Sequence, residues 1–117
     1  MRVLALFTLL MISTGVHQTA DAQLFPTKLR VTVIDGLGNF VEGATVSIYD
    51  NEADYLASKS PIATMKTDSK GRVTFKEVKP IAYFIEAKFE DKNNNGEGVK
   101  TGELSEGRIN KVNTVIE

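Results

Sequence analysis

Apolar and polar residues alternate along much of the chain from residue 29 onward, and a period of two residues is typical of β-strands that bury one face. Leu29, Val31 and Val33, for example, alternate with Arg30 and Thr32. The same alternation predicts strands at residues 29–33, 44–49, 62–67, 72–75, 83–89, 99–104 and 111–116. Seven short strands separated by turn residues predict an all-β fold, a seven-stranded antiparallel Greek-key β-sandwich.

Polar segments interrupt this pattern. Residues 35–39 and 68–71 are predicted turns, because each begins with an aspartate that can accept backbone hydrogen bonds and each contains glycine, which tolerates a positive φ. Residues 53–59 permit one short helix, which would need support from the sandwich. Residues 91–98 form the segment richest in turn residues.

The first 22 residues have the features of a secretory signal peptide. Arg2 supplies a positive charge, residues 3–12 are apolar apart from Thr8, and a polar stretch ends in small residues at Ala22. The apolar run is shorter than a membrane-spanning helix requires, so cleavage after Ala22 is favoured over anchoring. We therefore expect a signal peptide at 1–22, a lead-in at 23–28 and one domain at 29–117. The protein would be periplasmic or secreted, with no membrane insertion after cleavage.

Composition excludes several kinds of active site. The sequence contains no Cys and no Trp, and its single histidine, His17, lies in the predicted leader. The mature chain would lack the side chains that Ser-His-Asp and Cys-His catalysis and imidazole or thiolate zinc sites need. Removing Arg2 and Asp21 with the leader leaves thirteen basic and fourteen acidic residues. This near-neutral balance gives no electrostatic basis for binding nucleic acid.

Two motifs resemble those of a known family. They are Asp35-x-x-Gly38-x-x-Val41-x-Gly43-Ala44-x-Val46 and Thr67-Asp68-x-x-Gly71-x-x-x-Phe75-x-x-Val78. In this order, with strands around them, they are similar to the carboxypeptidase regulatory-like domain over roughly residues 29–89. The resemblance implies a prealbumin-like (transthyretin-like) sandwich related to immunoglobulin domains. The chain departs from the family's pattern at residues 79–83: the family usually has a glycine in this turn, and this chain has none.

The resemblance implies a non-catalytic accessory or binding module of the kind found in bacterial envelope proteins. In carboxypeptidases the module accompanies a separate zinc peptidase domain, and the mature chain would retain no histidine to hold zinc. We therefore expect no enzymatic activity and no required cofactor, with an envelope protein or a glycan as partner. The alternative is a calcium-dependent adhesion or carbohydrate-binding protein that uses residues 91–97.

The calcium alternative rests on the spacing of oxygen donors in that loop. Asp91, Asn93 and Asn95, with a glycine in the sixth place, match the first half of a calcium-binding loop. The twelfth place is Gly102 instead of Glu, which excludes an EF-hand. A looser Ca²⁺ site made by Asp91, Asn93, Asn95 and Glu97 stays open beside a plain Asn-Gly-rich turn.

Three aromatic residues form the candidate ligand surface. Strand alternation assigns Tyr49 and Phe84 to the outer face of the sandwich, and Tyr55 lies in the predicted helix. Exposed aromatic rings can stack on sugar rings or form a protein-binding patch. The same three rings could instead be covered by the helix or by a sheet edge.

Two further constellations are disfavoured. Residues 50–54 contain three carboxylates, and paired carboxylates can hydrolyse glycosides, but a mature chain of 95 residues has little structure to spare for a substrate cleft. Lys28, Glu86 and Asn113 invite comparison with related Cna protein B-type domains, in which a lysine is joined to an asparagine with help from a buried acid. Alternation assigns Glu86 to the outer face, which argues against the burial that this chemistry needs.

Overall fold

The computed structural model describes residues 25–117, so the predicted leader at 1–22 and the first two residues of the lead-in lie outside the described residues. Two β-sheets and one short helix make up the regular structure of the described part. The elements are β1 (Lys28–Asp35), β2 (Thr45–Tyr49), α1 (Glu52–Ala57), β3 (Ala63–Lys66), β4 (Arg72–Phe75), β5 (Phe84–Phe89), β6 (Lys92–Asn93) and β7 (Ile109–Ile116). Within residues 25–117 no helix has the length and apolar composition that crossing a bilayer requires.

The strands form two sheets, which we call sheet A (order β4-β1-β7) and sheet B (order β3-β2-β5-β6). In sheet A, β1 is antiparallel to β4 but parallel to β7, with Lys28 opposite Ile109 and Asp35 opposite Ile116. The prediction of a purely antiparallel sandwich is therefore wrong for this pair. Periodicity indicates which face of a strand is buried, but it carries no information about the direction of the neighbouring strand.

The predicted strand at 99–104 does not form. This segment runs beside β5 through separate backbone hydrogen bonds, in which Ile85 N donates to Val99 O at 2.7 Å and Thr101 N donates to Tyr83 O at 2.8 Å. The additional strand of sheet B is β6, inside the segment predicted as a turn at 91–98. The all-β prediction and the short helix near 53–59 agree with the structure, while the Greek-key topology of seven antiparallel strands is not confirmed.

The hydrophobic core lies between the two sheets, on the faces that the alternation predicts for β1, β4 and β5. Apolar side chains on strands of both sheets are at most 4% exposed, and they include Leu29, Val31, Val33, Val46, Ile48, Val73, Phe75, Ile85, Ala87 and Ile116. Each large aliphatic side chain buried in this way stabilises the fold by roughly 1.5–3 kcal/mol. The core therefore accounts for the sandwich and leaves the outer faces available for other contacts.

The two sequence motifs meet in space through Thr67. Its Oγ1 donates a hydrogen bond to Val41 O at 2.6 Å and accepts one from Ala44 N at 2.9 Å. Gly71 packs against the same region, because a Cβ at this position would lie 2.7 Å from Val33 O and its φ is +72°. Glycine meets both the close approach and the positive φ. The hydrogen bonds of Thr67 and the close packing of Gly71 thus join the β1–β2 connection to the β3–β4 connection.

Asp35 and Asp68 build the turns of the two motifs in the same way. Each carboxylate accepts hydrogen bonds from the backbone N–H groups two and four residues later, at 2.8 to 3.0 Å. The pKa of Asp35 is held below its usual value mainly by the N–H of Asn39, and the pKa of Asp68 mainly by the N–H of Arg72. The hydrogen bonds of both turns therefore favour the ionised form of the carboxylate.

Candidate functional site

A groove of about 540 Å³ opens on the outer face of sheet B. Helix α1 and the residue that ends it contribute Tyr55, Leu56 and Ser58, the strand β5 contributes Glu86 and Lys88, and the loop at 91–98 contributes Asn93 and Asn95. Its volume falls within the range of roughly 300–1,000 Å³ that is usual for small-molecule sites. We refer to these seven residues as the sheet B groove.

Strand register brings Glu86 and Lys88 to the groove. On β5 the buried residues Ile85 and Ala87 face the core, so the residues between and after them face outward. Lys88 is paired with Asn93 on β6, which brings the loop at 91–98 beside the outer face of β5. The sequence pattern predicts the outward direction of both charged side chains, but their role in a groove depends on α1 and the loop.

Glu86 is the most highly connected side chain of the groove. Its Oε1 accepts a hydrogen bond from the Tyr49 hydroxyl at 3.0 Å, and its Oε2 accepts one from Ser58 Oγ at 2.8 Å. Lys88 Nζ lies 3.6 Å from Oε2, and the Glu86 side chain is only 17% exposed. This carboxylate therefore links β2, β5 and the end of α1, and its charge is partly balanced by the neighbouring ammonium group.

Polar residues at the N-terminus of α1 fix the position of this helix. Asn51 caps the helix, because its side-chain oxygen accepts from Asp54 N at 2.9 Å, and its amide group donates to Asp50 Oδ1 and Asp54 Oδ2 at 2.8 and 2.9 Å. Acidic side chains near a helix N-terminus also interact favourably with its dipole. The carboxylates at residues 50–54 thus organise the beginning of the helix.

Ser58 ends the helix in an unusual backbone conformation. Its φ of 50° and ψ of 44° are left-handed, which glycine adopts easily and serine adopts at a cost of roughly 1 kcal/mol. Its N–H bonds to carbonyl groups of the last turn, and its hydroxyl donates to Glu86. The strained residue therefore lies at the groove, where its side chain joins the helix to the sheet.

The predicted aromatic surface is partly covered. Tyr49 lies on the outer face of sheet B as the pattern predicts, but it is only 2% exposed, because Tyr55 of α1 packs edge-on against it with ring centroids 5.9 Å apart. Tyr55 in turn stacks on Phe84 at 5.6 Å, and Lys100 Nζ lies 5.2 Å from the centre of the Phe84 ring. Of the three predicted aromatic residues, Tyr55 lines the groove. Tyr49 and Phe84 pack against the Tyr55 ring and are not among the lining residues.

The tyrosine hydroxyls are held in their neutral form. Burial raises the pKa of Tyr49 above its ordinary value, and the hydrogen bond to the Glu86 carboxylate and its negative charge raise it further. Burial also raises the pKa of Tyr55, with a smaller contribution from the charge of Glu86. Both hydroxyls thus stay protonated at neutral pH, as donation from Tyr49 to Glu86 requires.

The four residues of the predicted calcium loop lie close together in the chain, but the hydrogen bonds within the loop are made mainly to its own backbone. Asn93 Oδ1 accepts from Asn95 N at 3.0 Å, and the side chains of Asp91 and Glu97 are exposed. Among the described residues no group of three or more acidic, His or Cys side chains could hold a metal ion. Calcium binding stays a prediction, which calorimetry with Ca²⁺ tests: no heat at millimolar ion would contradict it.

Asn94, in the middle of this loop, has a structural role. It is 1% exposed, its Oδ1 accepts from Ala87 N at 3.0 Å, and its Nδ2 donates to Ile85 O and to Thr114 Oγ1. These bonds connect the loop to β5 of sheet B and to β7 of sheet A. The side chains on either side of Asn94 are thereby presented to the groove.

The three residues considered for an isopeptide bond are not brought together. Asn113 pairs with Thr32, which is four residues along β1 from Lys28, or roughly 13 Å at about 3.3 Å per residue. Glu86 lies on the outer face of sheet B, bonded to Tyr49 and Ser58. The arrangement that this bond formation needs is therefore absent from residues 25–117.

Four groove residues were not among the predicted ligand residues: Leu56, Ser58, Glu86 and Lys88. Lys88 shares the outward face of β5 with Phe84 and Glu86, and this pattern could have suggested it. Ser58 gave no such signal, because its left-handed conformation is a consequence of where α1 ends.

Comparison with known proteins identifies the fold. No protein-family model matches the sequence, and no curated protein matches it. Among solved structures, the chain is similar to the Bacillus anthracis TIE protein, with a TM-score of 0.54 and 20% identity over 77% of this chain and 17% of that chain. It is also similar to a streptococcal ancillary pilin, with a TM-score of 0.55 and 17% identity over 80% of this chain and 33% of that chain.

A third structure, chlorocatechol 1,2-dioxygenase from Pseudomonas putida, matches with a TM-score of 0.47 and 16% identity over 80% of this chain and 60% of that chain, which is too weak to bear on activity. The chain spans about a sixth of the TIE chain and a third of the pilin chain. Similarity at this level of identity concerns the fold alone. The chain has the fold of an all-β sandwich made of two sheets.

Proposed function

We propose that the chain is an exported, non-enzymatic β-sandwich module of the bacterial envelope, of the carboxypeptidase regulatory-like type, that binds an envelope protein or glycan in the sheet B groove. The Thr67 contacts between the two motifs support the family assignment, since they give both motifs a structural purpose. The fold similarity to a bacterial TIE protein and an ancillary pilin supports a bacterial surface setting.

The groove itself is the observation that carries the proposal. It combines one aromatic wall residue, Tyr55, with hydrogen-bonding groups from three separate segments of the chain. Binding sites typically combine apolar surface with a few convergent polar groups. The fold supports this arrangement through the Glu86 network and the buried Asn94, so the groove does not depend on a single exposed side chain.

The chemistry of the groove supports a binding role over an enzymatic one. Glycoside hydrolysis ordinarily uses two carboxylates about 5–10 Å apart, and Glu86 is the one carboxylate among the residues that line the groove. Its two oxygens already accept hydrogen bonds from Tyr49 and Ser58. The lining offers no second carboxylate with which to complete such a mechanism.

Photocrosslinking in producing cells tests this proposal. Leu56, which lines the groove and is 73% exposed, is replaced with p-benzoylphenylalanine, and Ile109 of sheet A, which is 45% exposed, receives the same replacement as a matched control. We expect an envelope component to be crosslinked from position 56 and not from position 109. Equal crosslinking from both positions, or none from position 56, contradicts the proposal. The N-terminal sequence of the recovered protein, expected to begin at Gln23, tests export.

A further inference from the structure

We infer that the ligand of the sheet B groove is an uncharged glycan. The inference rests on the proposed function and makes it specific, because that proposal leaves a protein and a glycan open. It follows from the charges, the free hydrogen-bonding groups and the aromatic side chain of the groove.

The charge balance of the groove disfavours charged ligands. Glu86 and Lys88 are its two charged lining residues, and their charged atoms lie 3.6 Å apart. A phosphate or carboxylate ligand would meet the negative charge of Glu86, and a cationic ligand would meet the positive charge of Lys88. Placing like charges side by side in an interface is unfavourable. A neutral ligand meets neither penalty.

The free hydrogen-bonding groups suit hydroxyl groups. Within the described residues, the side chain of Asn95 and the side-chain Nδ2 of Asn93 make no hydrogen bonds, so both remain available to a ligand. Lys88 has further donors, and the Glu86 carboxylate keeps part of its capacity for accepting bonds. Each sugar hydroxyl both donates and accepts, so a lining that mixes the two functions can satisfy neighbouring hydroxyls. Purely anionic or cationic ligands would use only half of these groups.

Tyr55 supplies the aromatic surface of the site. Its ring lines the groove, and contacts with Tyr49 and Phe84, at centroid distances of 5.9 and 5.6 Å, fix its position. The C–H face of a sugar ring is apolar while its edges carry hydroxyls, which matches a rigid aromatic side chain beside mixed polar groups. A preorganised ring loses little conformational entropy on binding.

Calorimetry with defined oligosaccharides tests the inference. The protein is purified as its own cell exports it and is titrated with the neutral probes maltotetraose, cellotetraose and N-acetylated chitotetraose. The charged probes are tetragalacturonate and fully deacetylated chitotetraose. We expect binding to at least one neutral probe and none to the charged probes. Binding to charged probes alone, or to no neutral probe, overturns the inference.

Two asparagine variants make the test specific for the groove. Asn95→Ala is expected to weaken binding of the neutral probe about fivefold, the effect of losing one neutral hydrogen bond. Asn113→Ala, which changes another exposed asparagine, on β7, is expected to leave binding unchanged. Lys88→Met provides a second groove variant with the same expectation of weaker binding. Equal effects of Asn95→Ala and Asn113→Ala overturn the inference.

The two proposals fail in different ways. If position 56 still crosslinks an envelope component while no neutral probe binds, the glycan is excluded and the groove remains the binding surface for a protein. If neither crosslinking nor titration gives a signal, both proposals are wrong.

Discussion

The Tyr49 hydroxyl donates a hydrogen bond to Glu86 Oε1 at 3.0 Å, which connects a buried tyrosine on β2 to a half-buried carboxylate on β5. Ser58, at the end of α1, donates to the other oxygen of the same carboxylate. Glu86 therefore fastens the helix to the sheet and at the same time forms part of the groove. The same side chain therefore contributes both to the stability of the fold and to the lining of the groove.

Glu86→Ala should lower the free energy of unfolding by about 2 kcal/mol, because Tyr49 loses its acceptor in a buried position and Ser58 loses its own. Urea unfolding followed by circular dichroism measures the change. Glu103→Ala is the control, since Glu103 is exposed and its carboxylate accepts no hydrogen bond among the described residues; we expect a change within about 0.5 kcal/mol. Similar losses in the two variants would contradict the role given to Glu86.

Stability should fall in alkaline solution through the buried tyrosines. Burial raises the pKa of Tyr49, Tyr55 and Tyr83 in the folded state, whereas the unfolded chain titrates near its ordinary value of about 10. Below that value the tyrosines are protonated in both the folded and the unfolded state, and their contribution to the free energy of unfolding is fully present. As the pH rises above about 10, the unfolded state releases protons first and stability is lost.

Tyr49→Phe should make this alkaline loss smaller, at a cost of about 1 kcal/mol at neutral pH for the missing hydrogen bond. Denaturant unfolding at a series of pH values measures both effects. An unchanged alkaline slope in the variant would show that Tyr49 does not titrate as described.

The acid side of the stability profile should depend on the turn carboxylates. Hydrogen bonds from backbone N–H groups lower the pKa of Asp35 and Asp68 in the folded state. Their contribution is present above the unfolded pKa of about 3.9 and is lost as the pH falls through the lower folded values. Asp68→Asn should flatten this loss in acid unfolding curves. Asp91→Asn, which changes a carboxylate that accepts no hydrogen bond within residues 25–117, should leave the curve unchanged.

Gly71→Ala should be far more damaging than Gly38→Ala. Both glycines have a positive φ, of 72° and 88°, so both substitutions carry backbone strain. A Cβ at Gly71 would also lie 2.7 Å from Val33 O, whereas nothing lies within 4 Å of a Cβ at Gly38. We expect a loss of about 1 kcal/mol for Gly38→Ala and at least about 3 kcal/mol for Gly71→Ala, measured by thermal or urea unfolding. Comparable losses would contradict the close packing of the two motifs.

Much of the sandwich could be predicted because burial follows the two-residue period of the strands. Val31, Val73 and Ile85 face the core as their alternation indicates. Strand direction could not be predicted, since the parallel pairing of β1 with β7 depends on the path of the connection and leaves no mark on the period. Residues 99–104 have a strand-like pattern, yet they join β5 through isolated hydrogen bonds.

The candidate site was harder to predict because it depends on long-range packing. Alternation correctly assigned Tyr49 to the outer face, but it could not reveal that Tyr55 covers the ring. Similarly, Ser58 meets Glu86 only because α1 ends above β5. Composition limited the chemistry of the site, and three-dimensional packing determined which groups meet there.

Chemical-shift mapping is the sharpest test of whether the sheet B groove is the binding surface. The exported protein, labelled with ¹⁵N, is mixed with a solubilised fraction of its own cell envelope. We expect the amide signals of Ser58, Lys88 and Asn95 to shift or broaden while those of Lys111 and Asn113 on β7 stay in place. Changes centred on β7, or no change at the groove, would contradict it.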